Sequence, residues 1–425
     1  MTLLFYFLYN LIITIAWPII WVSAYFNEKL GGSLTGQKRI KSNLSEFTEL
    51  VKSNPKPVVW LHAASAGEFE QIKPILSRVR KQDVYIFQTF TSATIYYKAS
   101  QDNRFDGVSF LPWDLYFSVN SFIKNLKPAL HINTRHDIWP NLLLALHRNK
   151  VRNILVNANL YNDSLRLKPI FRQLNLSVFK YIDHVYTGSE SLKSLLSNLY
   201  NGEIDVVGDS RFDQVSERAS TNNSVLISEN VLSDRRVIVY GSTVDSDLPV
   251  LSAGIAKSLS TNAFLHVIVP HEIMERDLIP WEVDFYRHNI KTIRLSEIDQ
   301  YNNESVLIWN HVGQLADLYK YANLAYIGAG FSTGVHSVTE PAIYHVPCAH
   351  GPKYDILAEA IELVDSKLST VIYTAQDLVN FLHLPDERIS ELEKSVCNYV
   401  HSRIGASEKI VNIEFPLTQV HNVSK

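Results

Sequence analysis

The sequence predicts an α/β protein made of two doubly wound, Rossmann-like domains in tandem. Three observations carry this. Short β-branched runs alternate with helical stretches from residue 57 onward, as in a parallel sheet with crossover helices. The alternation lapses over the polar stretch 216–233 and then resumes. The chain's 425 residues also exceed what one compact core organises. In the first half, strands are expected at 58–61, 84–88, 108–111, 129–133 and 153–157, with helices over 68–81, 115–126 and 138–148. The second half offers strands at 237–240, 264–269, 292–295, 306–308 and 324–327. A helical closing region, 386–403, ends the second domain or returns to the first. The segments are therefore 1–26, a first domain over 27–215, a linker over 216–233 and a second domain over 234–425. Sheets of this kind bind ligands outside the carboxyl ends of their strands, so a cleft between two of them is the expected site.

Composition narrows the function. Apolar residues make up 46% and charged residues 20%, which excludes a disordered chain. A net charge of −3, from 40 Lys and Arg against 43 Asp and Glu, argues against a partner made of nucleic-acid phosphates. Cys348 and Cys397, the two cysteines, build no disulfide framework and fit a reducing compartment. There is no Walker A, H-E-x-x-H or G-x-S-x-G pattern. The 15 histidines show no pair with convincing ligand spacing, so no metal is assigned.

The N-terminus is the anomaly. Residues 1–26 carry no Asp, Glu, Lys, Arg or His, and the apolar run from Leu3 is long enough to cross a hydrocarbon core of about 30 Å as a helix. Trp17, Trp21 and Tyr25 suit a headgroup belt, and Lys29, Lys38, Arg39 and Lys41 follow, which places the rest of the chain in the cytoplasm. Pro18 interrupts the helix at mid-span. An anchor that spans the bilayer or lies in its interface is expected; the alternative is a buried apolar helix of the first domain.

Four constellations carry candidate chemistry. His62-Ala63-Ala64-Ser65-Ala66-Gly67-Glu68 runs from a strand through small residues into a helix. Ser65 and Glu68 there read as a capping box, or Glu68 as a general base at the cleft end of a strand. Thr134-Arg135-His136-Asp137-Ile138-Trp139-Pro140-Asn141 also follows a strand; it suits an anionic substrate, or is a solvated loop with Asp137 as cap and Pro140 at the first helical position. Gly241-Ser242-Thr243 and Pro270-His271 offer amide N–H groups, hydroxyls and an imidazole to a phosphate. The run from Gly328 to Pro341 has glycines spaced G-x-G-x-x-x-G, which departs from the dinucleotide fingerprint but still reads as an anion cradle. Arg166, Lys168, Arg172 and Lys180 add a basic stretch that meets lipid phosphates or is a solvated helix face.

Taken in order, these segments resemble the 3-deoxy-D-manno-octulosonic acid (Kdo) transferase family of lipid A biosynthesis over nearly the whole chain. The resemblance also draws on Val156-Asn157-Ala158-Asn159-Leu160, Val207-Gly208-Asp209-Ser210-Arg211-Phe212-Asp213 and Val312-Gly313-Gln314-Leu315. It implies a GT-B glycosyltransferase, without metal or other cofactor, that moves Kdo from CMP-Kdo to a lipid A precursor (lipid IVA) at the cytoplasmic face of the inner membrane. By residue match it makes Glu68 the catalytic base. It places CMP on Ser242, Thr243, Pro270, His271, Val312, Gly313, Gln314, Ser337, Val338, Thr339 and Glu340. Arg211 stands where the family usually has a transition-state-stabilising Lys. Arg135-His136-Asp137 replaces Glu-Thr-Glu, leaving Asp137 as the nearest stabilising carboxylate. Gln314 replaces a usual Glu, and Ser337 a usual Asn. Other readings are a GT-B transferase of another nucleotide sugar and a membrane-tethered binding protein that has lost catalysis.

Overall fold

The computed structural model describes residues 2–26, 28–79, 83–135, 137–160, 164–221, 225–259 and 263–415. The chain divides into two compact units, Met1–Gln214 with Arg403–Lys425, and Val215–Ser402.

The first unit holds β1 (Val58–Ala63), β2 (Tyr85–Phe90), β3 (Gly107–Phe110), β4 (Leu130–Thr134), β5 (Arg152–Ala158), β6 (His184–Thr187) and β7 (Glu203–Val206). They form one parallel sheet in the order β3-β2-β1-β4-β5-β6-β7. All six residues of β1 are buried, as expected of a central strand covered on both faces. Alternation divides its side chains between two cores: Val58 and Trp60 join Phe87, Phe122 and Leu155, while Val59 and Leu61 join Ile86, Ile132 and Ile154. Order reverses between β1 and β4, and this is the sheet's switch point.

The second unit holds β8 (Arg236–Thr243), β9 (Phe264–Pro270), β10 (Thr292–Arg294), β11 (Val306–Ile308), β12 (Leu324–Ile327), β13 (Cys348–His350) and β14 (Ser369–Val371). These are also parallel, in the order β10-β11-β9-β8-β12-β13-β14, with the switch between β8 and β12.

Two boundaries differ from expectation. The stretch 216–233 is not an open linker, because the helix Ser210–Thr221 continues into it and a short helix spans Glu229–Leu232. The C-terminal helix Ala406–Glu414 belongs to the first unit rather than to a domain over 234–425. Ala406 and Ile410 are buried in the first unit's core, and Asp213 accepts hydrogen bonds from Gly405 N at 2.6 Å and Ser407 N at 2.7 Å. Glu414 closes the attachment on Arg152 Nε (2.6 Å) and the Tyr186 hydroxyl (2.6 Å).

The apolar N-terminus forms one helix, Thr2–Phe26, with Pro18 inside it. Among the described residues, no helix is long and apolar enough to cross a membrane. The helix is instead tied to the first unit on one side. The Tyr6 hydroxyl donates to Pro140 O (3.1 Å), the Tyr9 hydroxyl to Asp114 Oδ2 (2.7 Å), and Asn10 pairs with the Asn141 amide (3.0 Å). Its other side leaves Leu4, Phe7, Leu8, Leu11, Ile12 and Ile15 exposed, so it is not the buried core helix of the alternative reading. The side chains of Trp17, Trp21 and Lys29 lie outside those described.

Candidate functional site

At the carboxyl end of β1 the chain turns through Ala64 and Ser65 into the helix Ala66–Arg78. Ser65 Oγ accepts from Glu68 N (3.3 Å), and Glu68 Oε2 accepts from Ala64 N (2.7 Å) and Ser65 N (3.2 Å). The capping box is therefore real. It also holds Glu68 in an almost fully buried position, where desolvation first, and the charge of Asp137 second, raise its pKa above the usual carboxylate value. The same residue is both a helix cap and a carboxylate with a raised pKa.

Asp137, beyond β4, lies with Oδ2 2.8 Å from His62 Nε2. The other ring nitrogen of His62 is 2.9 Å from Thr89 Oγ1, which accepts from Trp60 Nε1 at 2.8 Å. Asp137 thus stands beside the buried Trp60, Thr89 and His62 side chains, and its charge reaches Glu68. Arg135 takes a left-handed backbone (φ 59°) with its N–H on Val156 O (2.9 Å). His136 lies outside the described residues.

Arg211 approaches the same helix. With the Gln71 amide oxygen turned toward it, the guanidinium donates from Nη2 at 2.8 Å and Nε at 3.1 Å. Gln71 follows Glu68 by one helical turn. Asn157 sets this register: its side chain meets Ser210 Oγ (2.7 Å) and Ser210 N (3.0 Å), and the Ser210 hydroxyl donates to Gln71 O (2.5 Å).

Asp137 does not cap the helix Pro140–Arg148. Asp114 does, accepting from Asn141 N (3.1 Å) and Leu142 N (2.8 Å), and burial raises its pKa to about 6. The Trp139-Pro140-Asn141 segment is thus architectural, with buried Asn141 joining that cap to the N-terminal helix. The basic stretch splits. Arg166 is desolvated, which lowers its pKa, and it feels the charge of Asp137; Arg172 donates to Asn198 O (2.9 Å), Lys180 lies over Tyr181, and Lys168 is exposed. Neither Arg166 nor Thr89 was singled out for this site from sequence. Both come from other strands or turns, and no local pattern marks them.

The second unit's switch point is an open cavity of about 290 Å³ at the ends of β8 and β12. Ser242, Gly313, Ser337 and Glu340 line it as the sequence predicts. His271 stacks on His336, another lining residue, with centroids 4.7 Å apart, and its N–H bonds Thr243 O (2.8 Å). Burial, then His271, lowers the His336 pKa. The other expected contacts do not line this cavity. Thr243, Pro270, Val338 and Thr339 are buried, Val312 is exposed, and Gln314 accepts from Trp309 Nε1 at 3.2 Å. The glycines have a packing reason rather than a cradle's: a Cβ on Gly328 would stand 2.3 Å from Ser242 O, and one on Gly241 2.0 Å from the Tyr319 hydroxyl. Sequence reasoning missed three lining residues, Arg218, Ala316 and Tyr319. Arg218 donates to Gly313 O (2.9 Å) and pairs with Asp317 (3.3 Å), but it sits in the stretch read as a linker.

Residues 38–214 match a family model described as 3-deoxy-D-manno-octulosonic-acid transferase. The 3-deoxy-D-manno-octulosonic acid transferase of Chlamydia trachomatis serovar A is 24% identical over 350 residues, 77% of this chain and 78% of that protein. The transferase of the same name from Aquifex aeolicus is 24% identical over 315 residues, 73% of this chain and 81% of its own. In fold, the chain is similar to UDP-GlcNAc 2-epimerase from Neisseria meningitidis bound to UDP-GlcNAc (TM-score 0.61, 14% identity, 84% of this chain and 98% of that one). It is also similar to MurG of Acinetobacter baumannii (TM-score 0.54, 12% identity, 84% and 99%). Two parallel seven-stranded sheets and these neighbours make the fold the α/β GT-B type. The chain is thus similar to the Kdo transferases: over residues 38–214 to the family model, and over about three quarters of its length to these two relatives.

Proposed function

We propose that this protein transfers Kdo from CMP-Kdo to a lipid A precursor, lipid IVA, in lipopolysaccharide biosynthesis, with no metal or other cofactor in the chemistry. The observation that carries the reading is Glu68: a buried carboxylate with a raised pKa at a switch point, beside Asp137 and on the helix that Arg211 reaches. In the reaction, an acceptor hydroxyl oxygen forms the new bond to the sugar. Its proton passes to Glu68, and the bond from sugar to CMP breaks with the electron pair leaving on the phosphate. Arg211 and Arg166 supply positive charge for the Kdo carboxylate and for anionic groups on the acceptor.

CMP occupies the second unit's cavity, with Glu340 accepting from ribose hydroxyls and Ser337, Ser242 and Arg218 meeting phosphate oxygens. The exposed apolar side of the helix Thr2–Phe26 supports a helix lying in the cytoplasmic-face interface, the second of the two anchoring modes. The deciding experiment incubates purified full chain with CMP-Kdo and tetra-acylated precursor and weighs the lipid. A product heavier by one or more Kdo residues sustains the proposal. Product formed only from a UDP- or GDP-sugar moves it to another transferase. A second reading, binding without catalysis, draws on Arg135 in place of a family Glu, and lack of turnover with normal CMP binding would favour it.

A further inference from the structure

We propose that His345, Cys397 and His401 form a zinc site in the second unit. A ring nitrogen of each histidine and the Cys397 sulfur lie within 4.8 Å of one another. Cys397 and His401 stand four residues apart on the helix Asp386–His401, hence on one face of it. His345 comes from elsewhere in the chain, at the turn that ends the helix Thr339–Ile343. Tetrahedral zinc holding nitrogen at about 2.1 Å and sulfur at about 2.3 Å separates the two by roughly 3.6 Å. Cys397 Sγ and His401 Nδ1 are 3.3 Å apart, so the donors are already near coordination distance. Thiolate and imidazole together are the donor set zinc prefers over magnesium or calcium.

Two further observations point the same way. His345 has a left-handed backbone (φ 61°), with its N–H on Ala342 O and the next N–H on Pro341 O. Glycine is the usual occupant of such a helix-ending position. This chain puts an imidazole there, and it faces the His401 ring at 6.0 Å. His401 Nδ1 also lies 2.8 Å from its own helix's Cys397 O, a contact that holds the ring beside the Cys397 sulfur and that zinc at Nδ1 replaces. Glu393, one turn before Cys397 on the same helix, is close enough for its charge to act on His345. A metal here fastens the end of the Glu340 helix to the helix Asp386–His401. The three ligands are absent from the lining of the cavity, so the role is structural and independent of the transfer chemistry. The spacing of histidines in the sequence does not reveal the site, because its third ligand comes from another element.

The test uses the full chain, stripped with chelator, kept reduced, and titrated with Co²⁺ and then Zn²⁺. Bound Co²⁺ should develop thiolate charge-transfer absorption, and one equivalent of Zn²⁺ should abolish it, with loss of the Cys397 thiol proton to solvent. Cys397→Ser should remove that absorption. Competition against a chromophoric chelator should show zinc weakened at least tenfold in Cys397→Ser, in His401→Asn, and in His345→Asn, which tolerates the left-handed backbone. Circular dichroism of each metal-free variant should match the parent. Absence of thiolate–cobalt absorption in the folded parent overturns the site. So does zinc affinity unchanged by Cys397→Ser and His345→Asn, and capture of Cu⁺ without Zn²⁺ overturns the choice of metal.

Discussion

The two units share a parallel seven-stranded architecture with a single order reversal, yet they fill their switch points in opposite ways. In the first, the ends of β1 and β4 carry Glu68, Asp137 and His62, packed against one another with their hydrogen bonds largely internal. In the second, small residues let the ends of β8 and β12 pair closely, and beyond them opens a cavity edged with Ser242, Ser337, His336 and Glu340. The same backbone plan serves two tasks. Burial and a second carboxylate raise the Glu68 pKa in one, whereas the other leaves room for a ligand.

The sharpest way to break the comparison is Glu68→Gln. The amide keeps most of the capping bonds but takes no proton, so transfer should fall by roughly 10²–10⁴-fold while the melting temperature stays within a few degrees. Single-turnover kinetics with CMP binding as control measures this, and near-normal turnover would reduce Glu68 to a cap. The matching substitution in the second unit is Glu340→Ala. It should weaken CMP by on the order of 2 kcal/mol, about thirtyfold, and leave the first unit unaffected. Calorimetry with CMP decides, and unchanged affinity would move the nucleotide elsewhere.

Asp137→Asn sharpens the electrostatic half of the argument. The Asp137 charge helps to hold the Glu68 pKa up, so a neutral side chain should shift the acid limb of the pH–rate profile to lower pH. An unmoved limb would mean Glu68 is tuned by burial alone.

Each unit also buries a neutral histidine on a central strand, His131 in β4 and His266 in β9, and burial lowers the pKa of each to about 3. The unfolded chain takes up these protons below its ordinary value near 6.5 and the folded chain does not. Stability is therefore fully present above that value and declines as pH falls from about 6.5 toward 3, by on the order of 1.4 kcal/mol per pH unit for each histidine. His131→Gln should remove about one proton from the slope of unfolding free energy against pH; an unchanged slope would mean His131 titrates when folded. The smallest expected effect on folding comes from deleting residues 1–26. The truncated protein should stay folded and lose binding to anionic vesicles in a flotation assay. Vesicle binding that survives the deletion would rule out the helix as the anchor.

Much of this was legible before folding. The β1 to β5 runs, the capping box at Ser65 and Glu68, and the loops at Ser242 and Ser337 follow from periodicity and small-residue turns, which are local properties. The strands β6, β7, β13 and β14 are not among those the sequence led us to expect. Asp114 caps a helix that begins 26 residues later, and the basic stretch around Arg166 does not reveal that this residue feels the charge of Asp137.

What the sequence determines by itself is thus the sheet-forming alternation, the turn chemistry at the strand ends and the order of motifs that carries the family resemblance. The tertiary structure alone decides which side chains become a site. It returns Ala406–Glu414 to the first unit, buries Glu68 beside Asp137, and carries Arg218 to the cavity. The reason is physical: hydrophobic periodicity is written between neighbours along the chain, while desolvation and charge coupling depend on distances through space that only the packed core sets.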